Sequence, residues 1–147
     1  MRLTTFTDYG LRVLIHVASA PDGRATIAQV ASAYGISENH VVKVAHRLGQ
    51  VGALVNTRGR GGGLRLASDA AQMKLGPIVR LLERTDGLAE CFENDKAGCV
   101  IAHDCGLRHV LVEAAGAFYE TLDRYTLADL VRRREPLVVA LHARKAA

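Results

Sequence analysis

The feature that most constrains the fold of this 147-residue chain is a pair of short helical patterns separated by one tight turn. Thr26 precedes the pattern of a helix over Ile27–Tyr34, which Gly35 ends. Ser37 precedes a second helical pattern that runs to about Gln50. Ser and Thr are preferred at helix starts, and Gly is preferred just after helix ends. The sequence therefore predicts a helix-turn-helix.

A glycine-rich segment between two strand-like runs follows the second helix. The runs span residues 54–57 and 64–66, and the intervening segment carries Arg58 and Arg60 among four glycines. This pattern predicts a β-hairpin with two arginines at its tip. A hairpin after a helix-turn-helix is a wing, so the predicted fold class is mainly α with a small β-hairpin wing.

Two further helices are predicted to flank this unit. The first is capped by Thr7 and runs to Ala20. The second starts with Pro77, a residue favoured in the first turn, and runs to about Arg84. We expect three apolar side chains of the second helix to face inward: Ile78, Leu81 and Leu82.

A long amphipathic helix is predicted over residues 105–123. One apolar stripe follows it, formed by Leu107, Leu111, Ala114, Phe118 and Leu122. Such a helix is roughly 28 Å long, more than a small loop-rich segment covers, so we expect a second subunit to cover the stripe. Packing of the stripe against the chain's own winged half is the alternative.

These patterns divide the chain into four parts. Residues 1–84 form the winged helix-turn-helix, and residues 85–106 form a cysteine-bearing loop without helical period. Residues 105–132 hold the dimerisation helix and a short helix over 125–131, and residues 133–147 form a solvated tail.

The charge of the chain is unevenly distributed. Residues 1–84 carry 11 Lys and Arg against 5 Asp and Glu, whereas residues 85–147 carry 8 against 10. The net charge of +6 on the winged half favours a polyanionic partner, with a solvated basic surface as the alternative. Because an α-helix fits the major groove and arginine enters narrow minor grooves, we predict double-stranded DNA as the partner. The candidate DNA contacts are Ser37, Asn39, His40 and Lys43 near the start of the second helix, Arg47 for phosphate, and Arg58 or Arg60 in the wing.

All three cysteines lie close together in the chain. Seven residues separate Cys91 from Cys99, and five separate Cys99 from Cys105. Three thiolates at this spacing can converge on one metal centre that still needs a fourth ligand. His103 would complete a zinc site, whereas an iron-sulfur cluster could take an oxygen ligand, and the spacing does not choose between them. Three unligated thiols are the remaining alternative.

The sequence argues against two broad classes of protein. It has no nucleophile elbow, paired helical histidines or nucleotide-binding fingerprint, so we predict that it is not an enzyme. It has no signal-peptide core at its start and no apolar run of the length a membrane span needs, so we expect a cytoplasmic protein without a membrane partner.

Four motifs together resemble the Rrf family of dimeric winged-helix iron-sulfur regulators over residues 1 to about 135. They are Met1-Arg2-Leu3-Thr4 with Phe6-Thr7-Asp8-Tyr9-Gly10-Leu11-Arg12, Ser37-Glu38-Asn39-His40-Val41-Val42-Lys43, Arg58-Gly59-Arg60-Gly61-Gly62-Gly63, and Tyr125-Thr126-Leu127-Ala128-Asp129-Leu130-Val131.

The resemblance is strongest to the nitric-oxide-sensing repressor of that family. It implies a homodimer on an inverted-repeat operator, and a [4Fe-4S] cluster held by Cys91, Cys99 and Cys105 with Asp8 of the partner subunit as fourth ligand. Nitric oxide would then lift repression of nitric-oxide stress genes. Asp8 has a second interpretation, because a carboxylate in a first helical turn also interacts favourably with the helix dipole.

Two departures keep other functions open. Seven residues separate Cys91 from Cys99, whereas five are frequent between these cysteines in the family's nitric-oxide sensor. The spacing of seven also resembles that of the family's iron-responsive regulator. The iron-sulfur assembly regulator has a histidine where this chain has Arg108, with His109 one position late. The alternatives are thus an iron- or cluster-status regulator, a [2Fe-2S] cluster or zinc as the metal centre, and a zinc-stabilised interaction module.

Overall fold

The computed structural model describes residues 3–57, 59, 62–83, 101, 104–132 and 134–143. These residues form seven helices and one three-stranded antiparallel sheet. In chain order the elements are α1 (Thr5–Ser19), β1 (Arg24–Ala25), α2 (Ile27–Tyr34), α3 (Glu38–Gln50), β2 (Leu54–Thr57), β3 (Gly63–Leu66), α4 (Leu75–Leu82), α5 (Gly106–Asp123), α6 (Leu127–Leu130) and α7 (Arg134–Ala143).

The first helix begins three residues earlier than predicted, so the prediction that Thr7 is its cap is wrong. Thr4 is the N-cap, and its hydroxyl oxygen accepts the backbone N–H of Thr7 at 3.3 Å. Thr7 is instead buried in the first turn, where its hydroxyl lies 3.0 Å from the hydroxyl of Thr4. Either threonine satisfies the capping preference, and the buried position of Thr7 decides between them.

Local capping defines the helix-turn-helix as predicted. Thr26 and Gln29 form a reciprocal capping box at the start of α2, and Gly35 ends this helix with a left-handed φ of 65°. The Ser37 hydroxyl then accepts the His40 N–H at the start of α3. Each cap satisfies backbone groups that a helix end leaves unpaired.

The wing is confirmed in β2 and β3, and the sheet contains one further strand. β3 pairs with β2 on one side and with β1 on the other, with Thr57 opposite Gly63 and Ala25 opposite Leu64. A Cβ atom on Gly63 would lie 2.9 Å from the carbonyl oxygen of Ala25, so this close approach of the two strands requires glycine.

One hydrophobic core lies beneath the sheet and the helices. It includes Val13 and Leu14 of α1, Val44 and Leu48 of α3, and Leu127 of α6. Because Leu127 is 0% exposed, the short helix after α5 packs into the core of the winged unit. An antiparallel bridge between Lys74 and Thr126 holds it there.

The fourth helix differs from its prediction at both ends. It begins at Leu75, two residues before Pro77, and ends at Leu82. Ile78 and Leu82 are buried as expected, but Leu81 is 49% exposed, so its predicted inward orientation is wrong.

The carboxyl-terminal part contains the long helix α5 as predicted and an additional helix. The segment predicted as a solvated tail forms α7, which packs against α1 and α2. None of the helices in the described ranges is both long and apolar enough to cross a membrane.

Candidate nucleic-acid interface and metal ligands

The capped helix α3 presents a polar face to solvent. Four of its residues are buried against the core, namely Val41, Val44, Ala45 and Leu48. The opposite face exposes Asn39, Lys43, His46 and Gln50, because these positions lie about 180° around the helix from the buried ones. This face includes two of the predicted DNA contacts, Asn39 and Lys43, and both are free of the core.

One apolar residue on the exposed side of α3 was missed by the sequence reasoning. Val42 is 51% exposed and flanks the polar face on the side away from α4. Its only sequence signal is that it lies outside the buried stripe while being apolar. Apolar side chains at such positions can contact the thymine methyl group in the major groove.

Two further predicted DNA contacts lie on the other edge of α3 and contact the chain itself. The ring of His40 lies 6.1 Å from the ring of Tyr9 in α1, and its Nδ1 is 3.0 Å from the hydroxyl of Ser37. Arg47 donates from Nη2 to the backbone oxygen of Leu81 at 3.1 Å. These contacts connect the edge of α3 to α1 and to the last turn of α4.

The base of the wing is well defined by hydrogen bonds. The hydroxyl of Thr57 accepts from the backbone N–H of Gly63 and donates to its carbonyl oxygen, each at 3.2 Å. The predicted minor-groove residues Arg58 and Arg60 lie outside the described residues. Arg65 is exposed on β3 and adds a positive charge to the same sheet.

Of the three predicted cysteine ligands, only Cys105 belongs to the described residues. It carries a free, partly buried thiol at the N-cap position of α5. Within the described chain the thiol makes no capping hydrogen bond to the helix. Cysteine thiolates are the usual ligands of iron-sulfur clusters and common ligands of zinc. Cys91, Cys99 and the alternative zinc ligand His103 lie outside the described residues, and the remainder contains no cluster of three or more metal-binding side chains.

Asp8 lies in the first turn of α1 and faces a solvent-open hollow of about 540 Å³. Its carboxylate forms an ion pair with Arg12 at 2.9 Å, and the Arg12 guanidinium lies 5.7 Å from the centre of the Tyr34 ring. Burial raises the pKa of the Tyr34 phenol, and the positive charge of Arg12 opposes this rise. The hollow is therefore lined by a carboxylate and a cation that pair with each other.

The predicted dimerisation stripe on α5 divides into two parts. Leu122 packs against the core of the winged unit, whereas Leu107 is 65% exposed. Leu111 and Phe118 are half-buried and Ala114 is exposed. No residue of α5 is fully buried by the described chain, although more than half of the helix is apolar.

These features define a winged-helix transcriptional regulator. A family model described as "Rrf2: Iron-dependent Transcriptional regulator" matches residues 3–133, and the chain belongs to the Rrf2 family. The HTH-type transcriptional regulator NsrR of Bacillus subtilis is 47% identical over 142 residues, which are 96% of this chain and 97% of that protein. The chain is accordingly an NsrR-like transcriptional regulator and not an enzyme.

Two solved structures share the fold. The global cysteine regulator CymR of B. subtilis superposes with a TM-score of 0.72 at 24% identity, covering 90% of this chain and 98% of that one. IscR of T. potens gives a TM-score of 0.72 at 23% identity, covering 93% and 90%.

Proposed function

We propose that this protein is a homodimeric DNA-binding repressor that senses nitric oxide through a [4Fe-4S] cluster and controls nitric-oxide stress genes from an inverted-repeat operator. The observation that carries the DNA-binding part is the polar face of α3, which is capped, supported by the core and open to solvent. The resemblance to nitric-oxide-sensing repressors, strengthened by the 47% identity to NsrR, supports the sensing part.

Each polar side chain near the start of α3 has a role in the proposed DNA complex. Asn39 can read adenine in the major groove with two hydrogen bonds, and Lys43 supplies charge for phosphate or guanine. Ser37 and His40 lie at the amino-terminal end of the helix, where such helices contact base edges. Arg58 and Arg60 would enter the minor groove from the wing.

A second copy of the chain completes the proposal. Leu107 and its neighbour Val110 are each more than half exposed, and a helix of 18 residues extends about 27 Å. Pairing of two such helices would bury this surface. A symmetric dimer also presents two copies of α3, as an inverted repeat with half-sites about 34 Å apart requires.

The proposed cluster ligands are Cys91, Cys99 and Cys105, with Asp8 of the partner subunit. When bound, the cluster supplies iron with which nitric oxide reacts. Asp8 would supply the fourth ligand, and its carboxylate also has a partner within its own chain, the guanidinium of Arg12. Because Asp8 lies in the first turn of α1, a cluster bound to it would be connected to the start of that helix. A coupling of about 1 to 3 kcal/mol would weaken DNA binding roughly 5- to 150-fold.

The experiment starts from protein purified without oxygen. Iron, sulfide and visible absorption are measured, and nitric oxide is titrated while binding to a duplex selected by the protein from a random-sequence pool is followed. We expect iron and sulfide in equal amounts and release of the duplex as nitric oxide is added. Colourless protein whose DNA binding is unchanged after iron removal would reject the sensor.

Two variants separate the sensing role from the DNA-binding role. Cys105→Ser is expected to lose the visible absorption and the response to nitric oxide. Lys43→Met is expected to keep the absorption and to bind the duplex less tightly in every state. Asp8→Asn tests the fourth ligand, since an amide is a weaker ligand for iron than a carboxylate.

An iron-responsive regulator is the second candidate. The family description names iron dependence, and the seven residues between Cys91 and Cys99 give a spacing that resembles that of the family's iron-responsive regulator. DNA binding that responds to iron chelation at least as sharply as to nitric oxide would favour it. One equivalent of zinc, without iron and without salt-dependent DNA binding, would instead indicate a zinc-stabilised interaction module.

A further inference from the structure

The last turn of α4 and the residue after it are hydrogen-bonded both to α3 and to the start of α1. Arg47 of α3 donates to the backbone oxygen of Leu81 at 3.1 Å. Two residues later, the carboxylate of Glu83 accepts the backbone N–H of Thr4 at 2.9 Å and its hydroxyl at 3.1 Å. One short segment, Leu81 through its backbone and Glu83 through its side chain, therefore contacts both α3 and the start of α1.

The position of Arg47 on α3 separates it from the DNA-facing residues. Asn39, Lys43 and His46 occupy the centre of the exposed face, whereas Arg47 lies at its edge, turned toward α4. The other residue at this edge, His40, contacts Tyr9, which immediately follows Asp8. The edge of α3 is thus attached at two places, to the last turn of α4 and to the helix α1 that carries Asp8.

We propose that Arg47 is a positioning residue, which couples α3 to the last turn of α4, and that Glu83 couples this turn to the start of α1. The inference rests on the proposed function and replaces the phosphate contact predicted for Arg47. When the start of α1 moves, Glu83 and Thr4 carry the displacement to α4, and Arg47 carries it to α3. In this role Arg47 determines how strongly DNA affinity responds to the signal, and it does not itself contact a phosphate.

The salt dependence of DNA binding distinguishes these two roles. Each phosphate contact contributes about one unit to the slope of log K against log salt concentration. Lys43→Met should therefore make the negative slope less steep by about 1, and Arg47→Met should leave it unchanged. Both substitutions remove one positive charge from the same helix, so they are matched in charge.

The response to nitric oxide provides the second measurement. Affinity for the selected duplex is measured before and after nitric oxide for wild type, Arg47→Met, Lys43→Met and Glu83→Ala, with thermal melting to verify folding. In wild type we expect a 5- to 150-fold loss of affinity. The loss should keep its wild-type size in Lys43→Met and should fall below about 3-fold in Arg47→Met and Glu83→Ala.

The outcomes decide separately on the two proposals. A responsive wild type together with an Arg47→Met protein that responds equally, or whose slope falls by about 1, overturns the positioning role alone. A wild-type protein that contains iron but does not respond to nitric oxide overturns the proposed sensor and the positioning role with it. Arg47→Met with an unchanged slope and a reduced response supports both.

Discussion

Replacing Leu127 by alanine should destabilise the DNA-binding unit, although Leu127 follows the long helix in the chain. Its side chain is fully buried, and its backbone N–H donates to the carbonyl oxygen of Met73 at 2.8 Å. The substitution removes about three carbons, each worth about 0.8 kcal/mol of burial, and leaves a cavity with a further cost. We expect a loss of about 3 kcal/mol from a total stability of about 5 to 15 kcal/mol.

Leu130 provides the control within the same short helix. It is 39% exposed, so Leu130→Ala should cost less than about 1 kcal/mol. Urea unfolding followed by circular dichroism measures both variants, at one protein concentration because the proposed dimer would make the unfolding midpoint depend on concentration. Equal unfolding midpoints for Leu127→Ala and wild type would refute the packing of α6 in the winged core.

Two further predictions concern tight packing and acid stability. A Cβ atom on Gly76 would collide with the carboxylate of Asp123 and would lie 3.0 Å from its backbone nitrogen, so Gly76→Ala should destabilise by about 1 to 2 kcal/mol after the gain in helix propensity. Gly116→Ala, with open space around the added methyl group, should stabilise by up to about 1 kcal/mol. Thermal melting of both variants checks these opposite signs, and two melting points shifted in the same direction would contradict the close approach. Hydrogen bonds from the backbone and hydroxyl of Thr126 hold the pKa of Asp129 below its ordinary value of 3.8, so its stabilising contribution is complete above about pH 4 and is lost as the pH falls through the lowered pKa. Asp129→Asn should therefore flatten the loss of stability below about pH 4, measured by urea unfolding at several pH values, and an unchanged acid limb would contradict this assignment.

The helix-turn-helix could be predicted because its signals are local. Thr26, Gly35 and Ser37 act on backbone groups within a few residues of themselves, so the sequence order alone places the turn. The polar face of α3 follows from the same local period. Neither feature requires knowledge of distant contacts.

The parts that the sequence did not predict depend on tertiary contacts. β1 has two residues, too few for any period to appear, and it forms because β3 lies beside it. The first turn of α1 contains several threonines, and only burial identifies Thr4 as the cap. The contact of Arg47 with Leu81 joins residues 34 apart in the chain, so the helical pattern of α3 could not reveal it.

The signal proposed here should leave the core of the winged unit unchanged. Val44 and Leu48 are at most 1% exposed, and close-packed side chains of this kind do not shift without cost. The surface contacts can supply the free energy that the coupling needs. A typical intramolecular hydrogen bond contributes about 0.5 to 1.5 kcal/mol, and a coupling of about 1 to 3 kcal/mol suffices. We therefore expect nitric oxide to reduce the hydrogen-exchange protection of amides near Thr4 and Glu83, while those in the middle of α3 keep theirs. A loss of protection throughout α3 would indicate that the helix unfolds, and reorientation through Arg47 would then be the wrong mechanism.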